Sequence, residues 1–343
     1  MTEKAWGEPL GTGLLAREPE DFVVHEQLGF NADNDGPHLL IQIEKSGLTT
    51  LEALRAIAKA WGVRERECGY AGRKDRWAVT TQWFTVPWPV NQPLPEAPSD
   101  IATGLSVLQV ARHRRKLKVG SLAGNRFRLR LREVSASAQS MNQRLAQIAT
   151  YGVPNYFGPQ RFGRNGRNLK DAVAWLVADP KSVPPAGRGM LISTLRSACF
   201  NQVLCARVKD GSWASALSDD LMGLDGRESL FPASRETPAR LRWRIAAQQI
   251  HPTGPLPGSH HEKLGVTPAL SQREAEILKP VANYVTGLTE RRVEAARRPL
   301  RVAVGALGWH QSDSKTWMLD FYLRRGSYAT SVVAELIDWS APQ

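Results

Sequence analysis

Two hydrophobic periods run through the chain, and where one gives way to the other sketches the fold. Residues 20–28 (EDFVVHEQL) and 38–43 (HLLIQI) are rich in β-branched and aromatic residues and predict two strands, separated by the turn-forming NADNDGP. Thr49-Thr50-Leu51-Glu52 matches a capping box, and Leu51, Leu54, Ala58 and Trp61 follow at helical spacing, predicting a helix over 50–61. Residues 78–86 (AVTTQWFTV) predict a strand that stops at Pro87; five prolines in 87–98 predict a surface connection after it.

Period two is strictest in 125–132 (NRFRLRLR), where Phe127, Leu129 and Leu131 face one way and four arginines the other. A second such stretch, 316–323, sets Trp317, Leu319, Phe321 and Leu323 against Met318, Asp320 and Tyr322, and 301–306 predicts a further strand. Helices are predicted over 169–177, capped by Asn168, over 190–208, and from the glycine-led GSYAT through Ile337. Between 210 and 280 the chain is rich in Gly, Pro and charge and offers no clear strands. The length predicts about two domains.

Composition adds one thing to this picture. Hydrophobic residues make up 42% and charged residues 23% of 343, ordinary values for a folded globular chain. The balance of 45 Lys and Arg against 33 Asp and Glu leaves +12, which points to a polyanion, and nucleic acid is the leading partner class. Cys68, Cys199 and Cys205 show no CxxC spacing and read as buried or inert thiols in a reducing compartment. No run approaches the ~18 apolar residues of a membrane span, and the N-terminal stretch lacks the apolar core of a signal peptide. A cytoplasmic protein is expected. Neither GxxxxGK[ST] nor a strand-linked GxGxxG occurs, so no nucleotide cofactor is expected, and His260-His261 lacks companion metal ligands.

Three stretches carry candidate chemistry. In 69–84 (GYAGRKDRWAVTTQWF), Asp75 sits between Lys74 and Arg76 with Arg73 one residue back, and Gly72 allows a tight turn. An acid among cations stays ionised and can serve as nucleophile or base beside a polyanion; a solvated turn of mixed charge is the plainer reading. Residues 111–118 (ARHRRKLK) hold five Arg and Lys, a phosphate-contacting patch or a solvated face. Residues 151–168 mix Tyr156, Phe157 and Phe162 with Arg161, Arg164 and Arg167, suiting an irregular loop that offers stacking surfaces and cations together.

AGRKDRWAVTTQ, GNRFRLRLR, VPNYFGPQRFGRNGRN, LRSACFNQVL and GSYAT, in this order across nearly the whole chain, resemble the TruD family of transfer-RNA pseudouridine synthases. The resemblance implies a bilobed α+β protein: a mixed or antiparallel-sheet catalytic domain from 1–152 and 303–343, interrupted by a family-specific α/β insertion over 153–302. It implies isomerisation of uridine to pseudouridine, at the uridine conventionally numbered 13 in tRNAs of the glutamate type, with base flipping and no cofactor. Asp75 matches the family's catalytic aspartate. Phe127 and Asn125 match its aromatic and its asparagine, so the resemblance favours Phe127 as a stacking residue where periodicity alone makes it core. Lys45, Arg73, Lys74, Arg161, Arg164 and Tyr328 are the remaining expected substrate contacts. Arg324-Arg325 stand where relatives are expected to carry a proline-containing turn. A monomer acting on tRNA, away from membranes, is expected. A non-catalytic RNA-binding protein and an RNA methyltransferase are the competing functions.

Overall fold

A computed structural model describes residues 3–98, 101–178 and 183–340. The chain forms two compact units: Leu10–Leu145, Val304–Gly326 and Leu336–Gln343 make one, and Met1–Pro9, Ala146–Ala303 and Ser327–Glu335 the other. We call them the sheet unit and the helical unit.

The sheet unit begins with β1 (Thr12–Leu15), β2 (Phe22–Gln27), β3 (His38–Lys45), α1 (Thr50–Ala60), β4 (Gly69–Tyr70), β5 (Val79–Pro87), β6 (Leu105–His113) and β7 (Gly124–Arg132). Helix α2 (Ala138–Tyr151) leads out of it. The helical unit holds β8 (Val153–Pro154), α3 (Arg167–Val177), α4 (Pro185–Lys209), β9 (Leu221–Leu224), β10 (Leu230–Pro232), α5 (Pro238–Ala246), β11 (Ile250–Leu256), α6 (Pro268–Leu278), α7 (Ala282–Glu290), β12 (Ala296–Pro299) and β13 (Arg301–Val302). The sheet resumes in β14 (Gly305–Asp313) and β15 (Thr316–Arg324), α8 (Ala329–Ala334) returns to the helical unit, and β16 (Asp338–Ser340) closes on β1.

The large sheet runs β14-β15-β7-β2-β5-β3-β6; β2 pairs parallel with β5 and β1 with β16, the other ladders being antiparallel. The alternation in β7 and β15 has the expected cause. Phe127, Leu129, Leu131 and Trp317, Leu319, Phe321, Leu323 are all buried, and the register sets Phe127 beside Phe321 and Leu129 beside Leu319. Leu39, Ile41 and Ile43 of β3 and Phe84 and Val86 of β5 pack against Ala53, Leu54, Ile57 and Trp61 of α1. Thr49 and Glu52 form the predicted capping box. Leu51 differs from expectation: it sits at the exposed start of the helix, and the buried stripe runs through Thr50, Ala53, Leu54, Ile57 and Ala58.

Four further expectations are corrected. Helix α3 starts at Arg167, with Gly166 at its N-cap, and Asn168 lies inside its first turn. Residues 301–306 are two strand ends in different units, β13 and the start of β14. Helix α8 stops at Ala334, well before Ile337. Residues 210–280 contain β9, β10, β11, α5 and α6; their strands are short and β11 carries two prolines, so neither period shows.

Candidate active site

The Asp75 loop is gripped from below through its backbone. Gln82, fully buried on β5, donates Nε2 to the Gly72 carbonyl, and its Oε1 accepts from Thr50 Oγ1 at 3.1 Å. The same Thr50 hydroxyl accepts from the Lys74 amide at 2.8 Å. Lys45, at the end of β3, donates Nζ to the carbonyls of Asp75 at 3.0 Å and Leu48 at 2.7 Å. The Gly47 amide donates to Arg76 O at 3.1 Å, and Arg76 returns a bond to Gly47 O at 3.2 Å. Four backbone groups between 72 and 76 are thus tied down: the Gly72 and Asp75 carbonyls and the Lys74 amide by side chains of β5, β3 and α1, and the Arg76 carbonyl by the Gly47 amide. A Cβ at Gly72 would lie 3.1 Å from both Glu26 Oε2 and Lys74 Nζ, tight against that buried ion pair.

The cations beside Asp75 are turned elsewhere. Lys74 pairs with the fully buried Glu26, and Arg76 pairs with Glu52 at 2.6 Å. Burial pushes the Glu26 carboxyl up, while Lys74 and the Trp83 amide pull it back. Hydrogen bonds from the Thr49 amide and hydroxyl bring Glu52 down to about 2. Lys45 is 1% exposed; burial lowers its ammonium to about 8, opposed by the negative charge of Asp75. Lys45 therefore faces inward, onto carbonyls, and not toward a solvent-borne phosphate. Asp75 itself is exposed, and among the described residues its carboxylate has no ion-pair or hydrogen-bond partner. Arg73 is exposed beside it.

Sequence reading passed over Trp77, which is 74% exposed two residues beyond Asp75. No period marks it, because β5 beyond it is buried almost throughout, with only Val79, Trp83 and Pro87 half-buried.

The register of β2 carries the site to β7. Glu26 lies opposite Asn125 and Val24 opposite Phe127, so the carboxylate that holds Lys74 adjoins the first residues of β7. The Asn125 Oδ1 is buried with no hydrogen-bond partner, an uncommon state for a polar atom and one that a ligand donor relieves. Phe127 is 6% exposed, T-shaped to Phe22 at 6.1 Å and stacked on Phe321 at 5.5 Å. Its ring is a core side chain in this conformation, as its period predicts.

The remaining expected contacts belong to the helical unit. Arg161 donates to the Tyr328 hydroxyl at 2.9 Å, and its guanidinium lies 5.6 Å from the Phe157 ring. Arg298, absent from the sequence reading, covers the same ring at 4.1 Å and is lowered to about 10 by burial. Asn201 clamps the Phe157 backbone at both N–H and C=O, each at 2.9 Å, which ties the two motifs to each other. The side chain of Arg164 lies outside the described residues. The basic run is largely committed: Arg112 bonds the carbonyls of Gly36, Pro89 and Gln92, the Arg114 guanidinium bonds Asp35 while its backbone amide donates to Asp33, and Lys116 bonds Arg66 O. All three cysteines are free thiols, and burial raises Cys68 to about 11 and Cys199 to about 12.

The family model described as tRNA pseudouridine synthase D (TruD) matches residues 5–182 and 176–336. The chain belongs to the TruD family. The tRNA pseudouridine synthase D of Pseudomonas syringae pv. syringae is 41% identical over 338 residues, 98% of this chain and 94% of that protein. Two Pseudomonas putida proteins of the same name are 40% identical over 337 residues, with the same coverage. The fold matches a crystal structure assigned as TruD from Methanosarcina mazei, with a TM-score of 0.72 at 20% identity, over 98% of this chain and 96% of that one. TruD proteins are isomerases, and the mixed α+β architecture expected from the resemblance is the one observed. Among the described residues no helix is long and apolar enough to cross a membrane, and no three His, Cys, Asp or Glu side chains group as metal ligands.

Proposed function

We propose that this TruD-family chain isomerises uridine to pseudouridine in tRNA, with Asp75 as the reacting carboxylate. The observation that carries the reading is the pairing of a backbone-gripped loop with an unpartnered acid. A nucleophile or base is useful when its position is fixed and its lone pairs are free, and the Asp75 loop supplies both. In the reaction the C1′–N1 bond breaks, the uracil turns, and C1′–C5 forms; the C5 proton leaves and N1 gains one. Asp75 either adds to C1′ or takes the 2′ proton, and each route needs an unpaired carboxylate at the ribose.

The uridine leaves its stack to reach this acid, at a cost of a few kcal/mol. Trp77 is the exposed ring best able to offset that cost by stacking, and Asn125 Oδ1 supplies a buried acceptor for a donor on the base or ribose. Phe127, two residues on from Asn125 in β7 and held by Phe22 and Phe321, backs that acceptor. Arg73 is the phosphate contact of this loop, while Lys45 and Lys74 position it. Arg161, with Arg164 and Tyr328, contributes substrate contacts from the helical unit. Residues 153–302 are read as the family-specific insertion in a catalytic domain of 1–152 and 303–343. The uridine at position 13 of a glutamate-type tRNA is the proposed target, on the strength of the resemblance.

The test is tritium release from tRNA transcripts labelled at uracil C5, for wild type and Asp75→Asn. Release by wild type alone supports both the isomerisation and its carboxylate. Equal release by the two proteins removes Asp75 from the chemistry, and no release from either across several tRNAs sinks the enzymatic reading.

A further inference from the structure

Helix α5 presents a second basic and aromatic face, well separated in sequence from every motif above. Thr237 caps it, accepting from the Arg240 amide at 3.3 Å, and Pro238 begins its first turn. Leu241 and Ile245 anchor the helix in a small core with Met222, Ala233 and Ile250, and Arg301 donates to the Ile245 carbonyl at 2.7 Å. The inner orientation is therefore settled by packing. The outer stripe, at spacing i, i+3, i+4, i+7, is Ala239, Arg242, Trp243 and Ala246, all exposed.

The charges on this helix are unequal in their commitments. Glu236 takes both Arg240, at 3.7 Å, and Arg244, which also lies 5.3 Å over the Phe231 ring. Arg242 has no ion pair or hydrogen bond to its side chain among the described residues, and neither has the exposed Arg235 just before the helix. Trp243 is 63% exposed and bordered by two alanines, so its indole lies open beside an uncompensated guanidinium. Large aromatic rings are mostly buried in folded chains. Of the eleven tryptophans only Trp77 and Trp243 are among the strongly exposed hydrophobic side chains of the described residues. Exposed Arg with an exposed ring is the pairing that recognises single-stranded or distorted nucleic acid: the cation takes the phosphate and the ring takes the base.

We infer that the outer face of α5, centred on Arg242 and Trp243 with Arg235 at its edge, is an RNA-docking surface that holds the body of the substrate tRNA apart from the reacting uridine. Charge complementarity selects RNA as the occupant, and the inference rests on the reading that tRNA is the substrate. Arg242 contributes a phosphate contact and Trp243 a stacking platform, so the face adds affinity and leaves the chemical step alone.

The test uses the full chain and equilibrium tRNA binding, with turnover measured in parallel. Trp243→Ala is expected to weaken tRNA binding roughly tenfold and Trp243→Phe to restore most of it, because stacking needs a ring and not the indole N–H. Arg242→Ala is expected to lower the slope of log affinity against log salt by about 1, the loss of one phosphate contact. KM rises accordingly, and kcat at saturating tRNA stays within twofold. All these side chains are exposed, so far-UV circular dichroism should match wild type. A Trp243→Ala/Arg242→Glu protein whose tRNA affinity stays within twofold of wild type overturns the inference. Polyglutamate that binds wild type, loses binding in the double variant and leaves tRNA affinity untouched would assign the face to an acidic protein instead. Wild type that makes no pseudouridine but loses tRNA affinity through these variants would sink the proposed function and keep this surface; normal turnover with unchanged KM would do the reverse.

Discussion

The Asp75 loop and the basic run at 111–118 look alike on paper and differ in what they leave free. Both are dense in Arg and Lys. In the loop, Lys74 and Arg76 are taken by Glu26 and Glu52, Lys45 holds two carbonyls from beneath, and what is left without a partner among the described residues is the acid with Arg73 beside it. In the basic run, the Arg112, Arg114 and Lys116 side chains are taken by carbonyls and by Asp35, and what is left among the described residues is two exposed cations, Arg115 and Lys118. Charge counted along a sequence is thus a poor measure of charge offered to a ligand. What reaches a ligand is whatever the neighbouring backbone and opposite charges have not already used.

The difference can be broken at its centre. Asp75→Asn keeps shape and backbone grip and removes the free carboxylate; pseudouridine formation should fall by at least about 10³-fold while tRNA binding is retained. A smaller loss would mean that another group does the chemistry. Next comes the grip. Glu26→Gln leaves the 6%-exposed Lys74 ammonium without its counter-charge, which should cost roughly 3–5 kcal/mol in urea unfolding. An unchanged urea midpoint would show that the pair contributes nothing.

Lys45→Met sharpens the contrast by pH. The mutation strips the donor from two carbonyls, a loss of about 1–3 kcal/mol for each buried acceptor left unmade. The native ammonium is lowered to about 8 from the ordinary 10.5, so between those pH values the unfolded chain binds more protons than the folded one. Stability contributed by Lys45 therefore rises with pH through that window, because the burial penalty on the charged form is relieved. Wild type should gain up to roughly 3 kcal/mol relative to Lys45→Met between pH 8 and 10.5. Parallel stability curves across the window would deny that Lys45 is buried as a charge. The smallest effect separates free from committed cations: Arg115→Ala should weaken tRNA binding a few-fold and lower its salt slope by about 1, while Arg114→Ala should change neither.

Much of this was legible in one dimension. The period-two stretches at 125–132 and 316–323 became neighbouring strands with the expected side chains inside, because alternation is imposed by the strand itself. The capping box at Thr49 was readable because its two bonds are local. Phe127 shows the limit: period and resemblance pointed to different roles, and only the packing of Phe22 and Phe321 around it shows where the ring lies. Residues 210–280 were illegible, since β9 and β10 are four and three residues long, too short to show a period, and their ladder is completed only by the later β11.

From the sequence alone came the amphipathic strands, the first helix and its cap, the positive charge, and Asp75 as the acid to watch. All of these depend on interactions within about four residues or on composition. Tertiary structure decided which cations are spent and which acid is spared, because those choices belong to pairs such as Lys74–Glu26 and Lys45–Asp75. Their members are separated by 48 and 30 residues, and no local period records so distant a partner.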